Sequence, residues 1–363
     1  MKRRTFLSLS ASALAAPFVL RTAALGQRTP LALNISSYRL DRTAALFDGR
    51  VQIEGVDATF HEDKIGDMNT AAFSGAGSRE VTEIGLHPFM LAHANEGFRD
   101  YALLPVPLLR QFRHKSIYVH RDAGIEKPED LKGRRVGTPG YSSTSLTWIR
   151  GLLEDEYGVQ PSDMTWVVSN ADSSAGEAGT ISAQEQVNPD GVTIESGKPG
   201  LDESELLLER EVDALIHAGT PAAFLAGDPR IVRLFPNTRE VEQDYFKRTG
   251  IFPIMHVLAI RRDTAESHPW LAKAVFDAYA AAKQMAYDHK DRWGWAVDML
   301  PWYAAEVEET RALMGRNFYP YGMEANRKTF ETLFAYSHRQ GLASHLLSVE
   351  DVFLQGTLDF AER

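Results

Sequence analysis

Pro128-Glu129-Asp130-Leu131-Lys132-Gly133-Arg134-Arg135-Val136-Gly137-Thr138-Pro139-Gly140-Tyr141-Ser142-Ser143-Thr144 holds the fold in miniature. A proline and two acids open a short helix, and Gly133 ends it. Arg135-Val136-Gly137 opens a strand, and Thr138-Pro139-Gly140-Tyr141 turns the chain. Ser142-Ser143-Thr144 then starts a helix that runs to about Tyr157, with Leu146, Ile149, Leu152 and Leu153 at helical spacing. A strand that turns through glycine into an amphipathic helix is the repeating unit of α/β lobes with largely parallel sheets.

Outward from this stretch the alternation continues. Towards the N-terminus, Leu31–Ile35, Val81–Leu86 and Ser116–His120 read as strands, and the alternating Val51–Phe60 reads as one arm of a hairpin. His87-Pro88-Phe89 reads as a loop. Towards the C-terminus, Trp166–Val168, Val212–Ile216 and Pro253–Ile260 read as strands. Residues 169–200 are rich in Ser, Gly, Asn and Asp and read as a surface excursion. After 260 the pattern is helical to the end, and these late helices are expected to pack on the first lobe. Most of the aromatic side chains among them, Trp293, Trp295, Trp302, Tyr303, Phe318, Tyr319 and Tyr321, are expected to fill that packing.

The chain has 363 residues and no cysteine, a length that suits two lobes and a composition that excludes disulfides and thiolate sites. Its net charge of −10 excludes nucleic acid as a partner, because phosphate binding needs a basic footprint. Met1-Lys2-Arg3-Arg4-Thr5-Phe6-Leu7 precedes an Ala-rich apolar run too short to span a membrane. Residues 1–26 therefore read as a twin-arginine export signal that ends before Gln27, which places the mature chain in the periplasm.

Three separated stretches carry a resemblance. Phe112–Val119, Tyr245–His256 and Tyr319–Arg327 are together similar to the 4,5-dihydroxyphthalate decarboxylase-like family, which shares the type 2 periplasmic-binding-protein fold of ABC-transporter substrate-binding proteins. The resemblance implies an α/β protein of two lobes with two crossover strands and a helical C-terminal region. Lobe one would take 28–121 plus 254–363 and lobe two 122–253, with a cleft that closes by a hinge. The export signal and the polar stretch 169–200 are departures from the enzyme pattern.

Several residues are candidates for the cleft. The turn and hydroxyl-rich helix start at Gly137–Ser145 suit an anion, with Ser142, Ser143 and Thr144 as donors; an ordinary helix cap uses the same residues. Arg113 suits a carboxylate, and His114 stands beside it. His87 and His217 end strands, Thr220 follows His217, His256 lies in the second crossover strand, and Tyr38 follows the first strand. Each histidine has an alternative reading as a hydrogen-bonded structural residue. None has a metal-binding helical spacing, so no cofactor is expected, and a divalent metal would require the histidines to converge in space.

Two functions remain open on these residues. One is an exported solute-binding protein for a small anionic, carboxylated ligand, with aromatic acids among the candidates, that feeds a membrane transporter permease. The alternative is a decarboxylase of hydroxylated aromatic acids, with His87, His217 and His256 as candidate acids and bases.

Overall fold

The computed structural model describes residues 29–362, apart from 174, 175, 177, 178, 180, 297 and 298. The export signal expected over 1–26 lies outside the described residues. Among them the strands are β1 (Leu31–Ser36), β2 (Val56–His61), β3 (Val81–Gly85), β4 (Tyr101–Arg110), β5 (Ile117–His120), β6 (Arg135–Thr138), β7 (Thr165–Val168), β8 (Thr193–Ser196), β9 (Ala214–Ile216), β10 (Ile231–Arg233) and β11 (Ile254–Arg261). They form two sheets, ordered β2-β1-β3-β11-β4 and β10-β5-β9-β6-β7-β8.

The sheets are mixed. β1 is parallel to β2 and β3, and β6 is parallel to β7 and β9. β11 is antiparallel to both its neighbours, and so is β5. β2 is thus no hairpin arm: the helix Ala44–Phe47 lies in the connection from β1, and β2 returns beside it in the same direction. β4 holds Pro105 and Pro107 at the sheet edge, where a missing N–H is tolerated. The pairing of β5 with β9 and β10 puts Ile117–His120 in the second sheet. The passage between sheets therefore falls at 111–116, ahead of the boundary at 121 drawn from sequence. The return begins β11 at Ile254.

One face of the first sheet is covered by the long helix Leu271–Trp293, whose Val275, Phe276, Tyr279 and Ala282 pack with Leu33, Ile35, Leu258 and Ile260. A second core joins the two lobes. It combines Ile84, Phe89, Tyr101 and Val257 with Trp148 and Leu152 of the helix Thr144–Tyr157 and with Phe330, Phe334 and Tyr336 of the helix Arg327–Arg339. The helix Arg327–Arg339 thus packs on the second lobe as well as the first, whereas the sequence expectation named only the first. Of the late aromatics, Tyr321 is buried as expected, whereas Trp293, Trp295 and Trp302 are exposed. The two helices touch at Gly151, where an added Cβ would stand 2.1 Å from the Tyr336 ring.

Candidate functional site

The C-terminal ends of parallel strands converge on the junction of the sheets, which is where open α/β sheets place ligands. β3 ends at Gly85 opposite His256, and β4 ends at Arg110 opposite Ile254, so the start of β11 shares this edge. In the second sheet β9 ends at Ile216 opposite Ile117. Both crossings between sheets leave from these edges.

On the first edge, Glu83 and His256 form a pair. Glu83 is fully buried, with Oε1 2.8 Å from Nδ1 of His256. Its Oε2 accepts from the Ser37 hydroxyl at 2.8 Å and from the Tyr38 N–H at 3.0 Å. Burial alone would push this carboxyl up, but the His256 ring, the Tyr38 N–H and the Ser37 hydroxyl hold it below its ordinary value. The Tyr38 and His256 rings lie nearly parallel, centroids 6.0 Å apart. The Tyr38 hydroxyl accepts from the Ile65 N–H at 3.0 Å, which fixes the ring.

Arg113 spans the junction. Its Nε donates to Met255 Sδ at 3.3 Å and its Nη1 to the Ala218 carbonyl at 2.7 Å. Its Nη2 makes no hydrogen bond among the described residues. Burial lowers its pKa to about 10, so it is still a cation at neutral pH. Met255 and His256 point to opposite faces of β11, so Arg113 and the Glu83–His256 pair flank one sheet edge from its two sides.

On the second lobe, His217 is buried beside two acids. Its Nε2 lies 3.1 Å from Asp172 Oδ1 and 3.3 Å from Glu203 Oε1, and the three groups fall within 4.8 Å of one another. That spacing could hold a metal ion, but the other ring nitrogen argues against it. Nδ1 accepts the Gly219 N–H at 2.9 Å, so the neutral ring carries its proton on Nε2, towards the acids. A metal-bound histidine donates its second N–H to an acceptor, and here that position faces a donor. Burial raises Glu203 above its ordinary value. Burial lowers the His217 pKa, but the Asp172 and Glu203 carboxylates outweigh it and raise the ring above its ordinary value; an N–H donated to Nδ1 favours the neutral ring.

The other sequence candidates lie elsewhere. His87 is fully buried in the first turn of the helix Leu86–Asn95, where Pro88 is tolerated, rather than in a loop. Its Nδ1 donates to the Ser142 carbonyl at 2.6 Å and its Nε2 accepts from the Ser337 hydroxyl at 2.8 Å. Burial takes its pKa down to about 3. The three hydroxyls of the anion-site reading are engaged by protein. Ser142 Oγ accepts from the Val187 N–H at 3.1 Å, Ser143 Oγ from the Leu146 N–H at 3.4 Å, and Thr144 Oγ1 from the His87 N–H at 3.0 Å. This helix start works as a cap and an interlobe tie through its hydroxyl oxygens, and these contacts leave the hydroxyl protons that an anion would use. His114 is buried against the Phe235 and Tyr245 rings, with neither ring nitrogen hydrogen-bonded among the described residues. Thr220 is half-buried just beyond Gly219. The four histidines form no single cluster.

Sequence reasoning missed Glu83, Asp172 and Glu203. The one available signal for Glu83 was a lone acid inside the apolar strand Val81–Gly85. The three stretches that carried the resemblance do come together. Phe112 stacks on Phe252 at 4.7 Å and meets Phe246 edge-on at 6.2 Å, Phe252 meets Tyr319, and Arg110 bonds both the Pro320 carbonyl and Asn326.

Comparison with known proteins fits this architecture. The family described as NMT1/THI5 like matches residues 99–292. A 4,5-dihydroxyphthalate decarboxylase of Comamonas testosteroni is 33% identical over 329 residues, covering 91% of this chain and 98% of that protein. Its counterpart in Pseudomonas putida is 33% identical over 217 residues, covering 60% of this chain and 82% of that protein. Among solved structures, the periplasmic aliphatic sulphonate binding protein SsuA of Escherichia coli superposes with a TM-score of 0.53 at 14% identity, over 91% of this chain and 99% of that one. A periplasmic sulfonate-binding protein SsuA of Methylobacillus flagellatus gives 0.52 at 13% identity, over 91% and 96%. The structural likenesses show the two-lobed α/β periplasmic-binding-protein fold.

Proposed function

The chain belongs to the NMT1/THI5-like family, among the relatives of 4,5-dihydroxyphthalate decarboxylase, and from that premise we propose that it binds a small carboxylated aromatic acid at the junction of its two sheets. In this reading it is an exported solute-binding protein of the periplasm that hands its ligand to a membrane transporter, and no resident cofactor is needed. Arg113 carries the reading. It is a buried cation, held in place by Met255 and Ala218, with one end of its fork unspent at a sheet edge. A carboxylate is the natural partner for such a fork. Tyr38 and His256 offer a flat aromatic wall on the other side of that edge. The export-type N-terminus and the sulphonate-binding neighbours agree with an anionic solute and a transporter.

The Glu83–His256 pair supports a second reading, decarboxylation. A histidine oriented by a buried carboxylate can give a proton to a ring carbon. The ring–carboxylate bond would break, its electron pair would stay on the ring carbon, carbon dioxide would leave, and the His256 proton would take its place. The relatives named as decarboxylases favour this chemistry. Incubation with 4,5-dihydroxyphthalate separates the two readings: saturable binding without product supports the first, and many product molecules per chain support the second.

A further inference from the structure

Arg113 is held by neutral acceptors. Its Nε donates to the Met255 sulfur at 3.3 Å and its Nη1 to the Ala218 carbonyl at 2.7 Å, and no carboxylate bonds it among the described residues. The acid that acts on it through space, Glu242, accepts instead from the Lys115 N–H at 3.2 Å. A guanidinium only 3% exposed and without a paired anion is costly, because burial strips its water. Met255 is the unusual member of this set. A thioether is a weak and neutral acceptor that sits in a core at little desolvation cost. It gives the Nε–H a direction without cancelling the charge, where a carboxylate in its place would close the fork in a salt bridge. The sulfur is itself held from the second lobe: the Ser145 hydroxyl, in the first turn of the helix Thr144–Tyr157, donates to it at 3.4 Å. Met255 is 1% exposed, packed in the core that joins the lobes.

We propose that Met255 is a positioning residue that sets the charge selectivity of the site: by holding Arg113 through a neutral sulfur, it aims the guanidinium and leaves its charge for an anionic ligand. This rests on the reading of Arg113 as the partner of a carboxylate. Three parts of the chain meet at the sulfur: Arg113 ahead of β5, Met255 at the start of β11, and Ser145 in the second lobe. Without the sulfur, the Ala218 carbonyl is the one anchor left to Arg113 among the described residues. A fork held at one point can turn about it, and a two-point carboxylate contact depends on the plane of the fork. The ligand class that follows is an acid ionised at neutral pH. An ester of the same shape would leave the buried cation unpaired and bind weakly.

The test is Met255→Leu, which conserves volume and removes the acceptor. Affinity for 4,5-dihydroxyphthalate is measured by calorimetry on the wild type, Met255→Leu, Arg113→Met and the double variant. Met255→Leu should weaken binding roughly threefold to tenfold, the range of one lost hydrogen bond. Added to Arg113→Met, it should cost nothing further, because the group it positions is gone. The dimethyl ester should bind the wild type at least about tenfold more weakly than the acid. An affinity that Met255→Leu leaves unchanged would overturn the proposal. An equal loss in both backgrounds would do so too, by making Met255 a packing residue, and so would an ester that binds as tightly as the acid. An affinity indifferent to Arg113→Met is a separate failure, that of the carboxylate reading itself. The ligand-free protein supplies an independent readout. The Arg113 Nε–H resonance, identified by its loss in Arg113→Met, should exchange with water at least about tenfold faster in Met255→Leu. Unchanged exchange would overturn the role of the sulfur whatever the ligand.

Discussion

Glu83 and His256 stand 173 residues apart in the chain and meet at 2.8 Å, Oε1 to Nδ1, where β3 ends and β11 begins. The antiparallel register of these strands sets His256 against Gly85, so the return of the chain from the second lobe delivers the ring to the acid. A buried carboxylate with three donors keeps its charge, and that charge in turn orients the ring beside Tyr38.

Glu83→Gln keeps the shape and removes the charge. It should cost about 1.5–3 kcal/mol of stability at neutral pH, the worth of hydrogen bonds to a charged group. The folded pKa of Glu83 lies below its ordinary 4.5, so its contribution is present above that value and is lost as pH falls through the folded value. Urea melts at neutral and acid pH should therefore show the variant well below the wild type in the first case and close to it in the second. Equal gaps at both pH values would contradict this account of Glu83.

Buried neutral histidines predict an acid sensitivity of the fold. His87 has a folded pKa of about 3 and His114 of about 4, against an ordinary 6.5. Below 6.5 the unfolded chain binds protons that the folded chain refuses, so stability is full above 6.5 and falls as pH drops towards those values. Each such group contributes about 1.4 kcal/mol per pH unit. His87→Ala should lose about 2–4 kcal/mol at neutral pH through its two broken ring bonds and the space left behind. It should also show a shallower loss between pH 6 and 4, with ligand affinity intact. An affinity that falls with His87→Ala would return that residue to the site.

Gly151→Ala reverses the usual sign of a helix substitution. Alanine favours an exposed helix over glycine by about 1 kcal/mol. Here the new methyl group would stand 2.1 Å from the Tyr336 ring, so the helices must part. The expected outcome is a loss of about 1–3 kcal/mol by chemical denaturation. Hydrogen exchange should rise in both helices. A stabilised variant would show that the interlobe packing is looser than described.

Exhaustive treatment with a chelator should leave ligand affinity and melting temperature unchanged. The Gly219 N–H occupies the His217 nitrogen that a metal ligand would use to donate. A melting temperature lowered by chelation and restored by one divalent ion would place a metal among Asp172, Glu203 and His217.

Much of this architecture was legible because the central strands are apolar runs between turn residues, as in Val212–Ile216 and Pro253–Ile260. What escaped has physical causes. Thr193-Ile194-Glu195-Ser196 forms the outer strand β8, where no side chain is buried, so no alternation marks it. The alternation of Val51–Phe60 revealed a strand but not its direction, because a half-buried face looks the same in parallel and antiparallel pairing. His87-Pro88 resembled a turn because proline marks loops and first helical turns alike. The cap at Ser142–Thr144 and an anion site use identical residues, and the partners at Val187, Leu146 and His87 show the cap, which takes the hydroxyl oxygens and leaves their protons. Asp172 and Glu203 sit among other polar residues and become distinctive only when β9 carries His217 to them.

The most direct test of the central claim is a thermal-shift titration with 4,5-dihydroxyphthalate, on the wild type and on Arg113→Met, with product followed by chromatography. The account predicts a saturable rise in melting temperature for the wild type and an affinity at least about tenfold weaker in the variant, the cost of one lost charge-assisted contact. No shift and no product with this or any related carboxylate, or an affinity indifferent to the loss of Arg113, would contradict it.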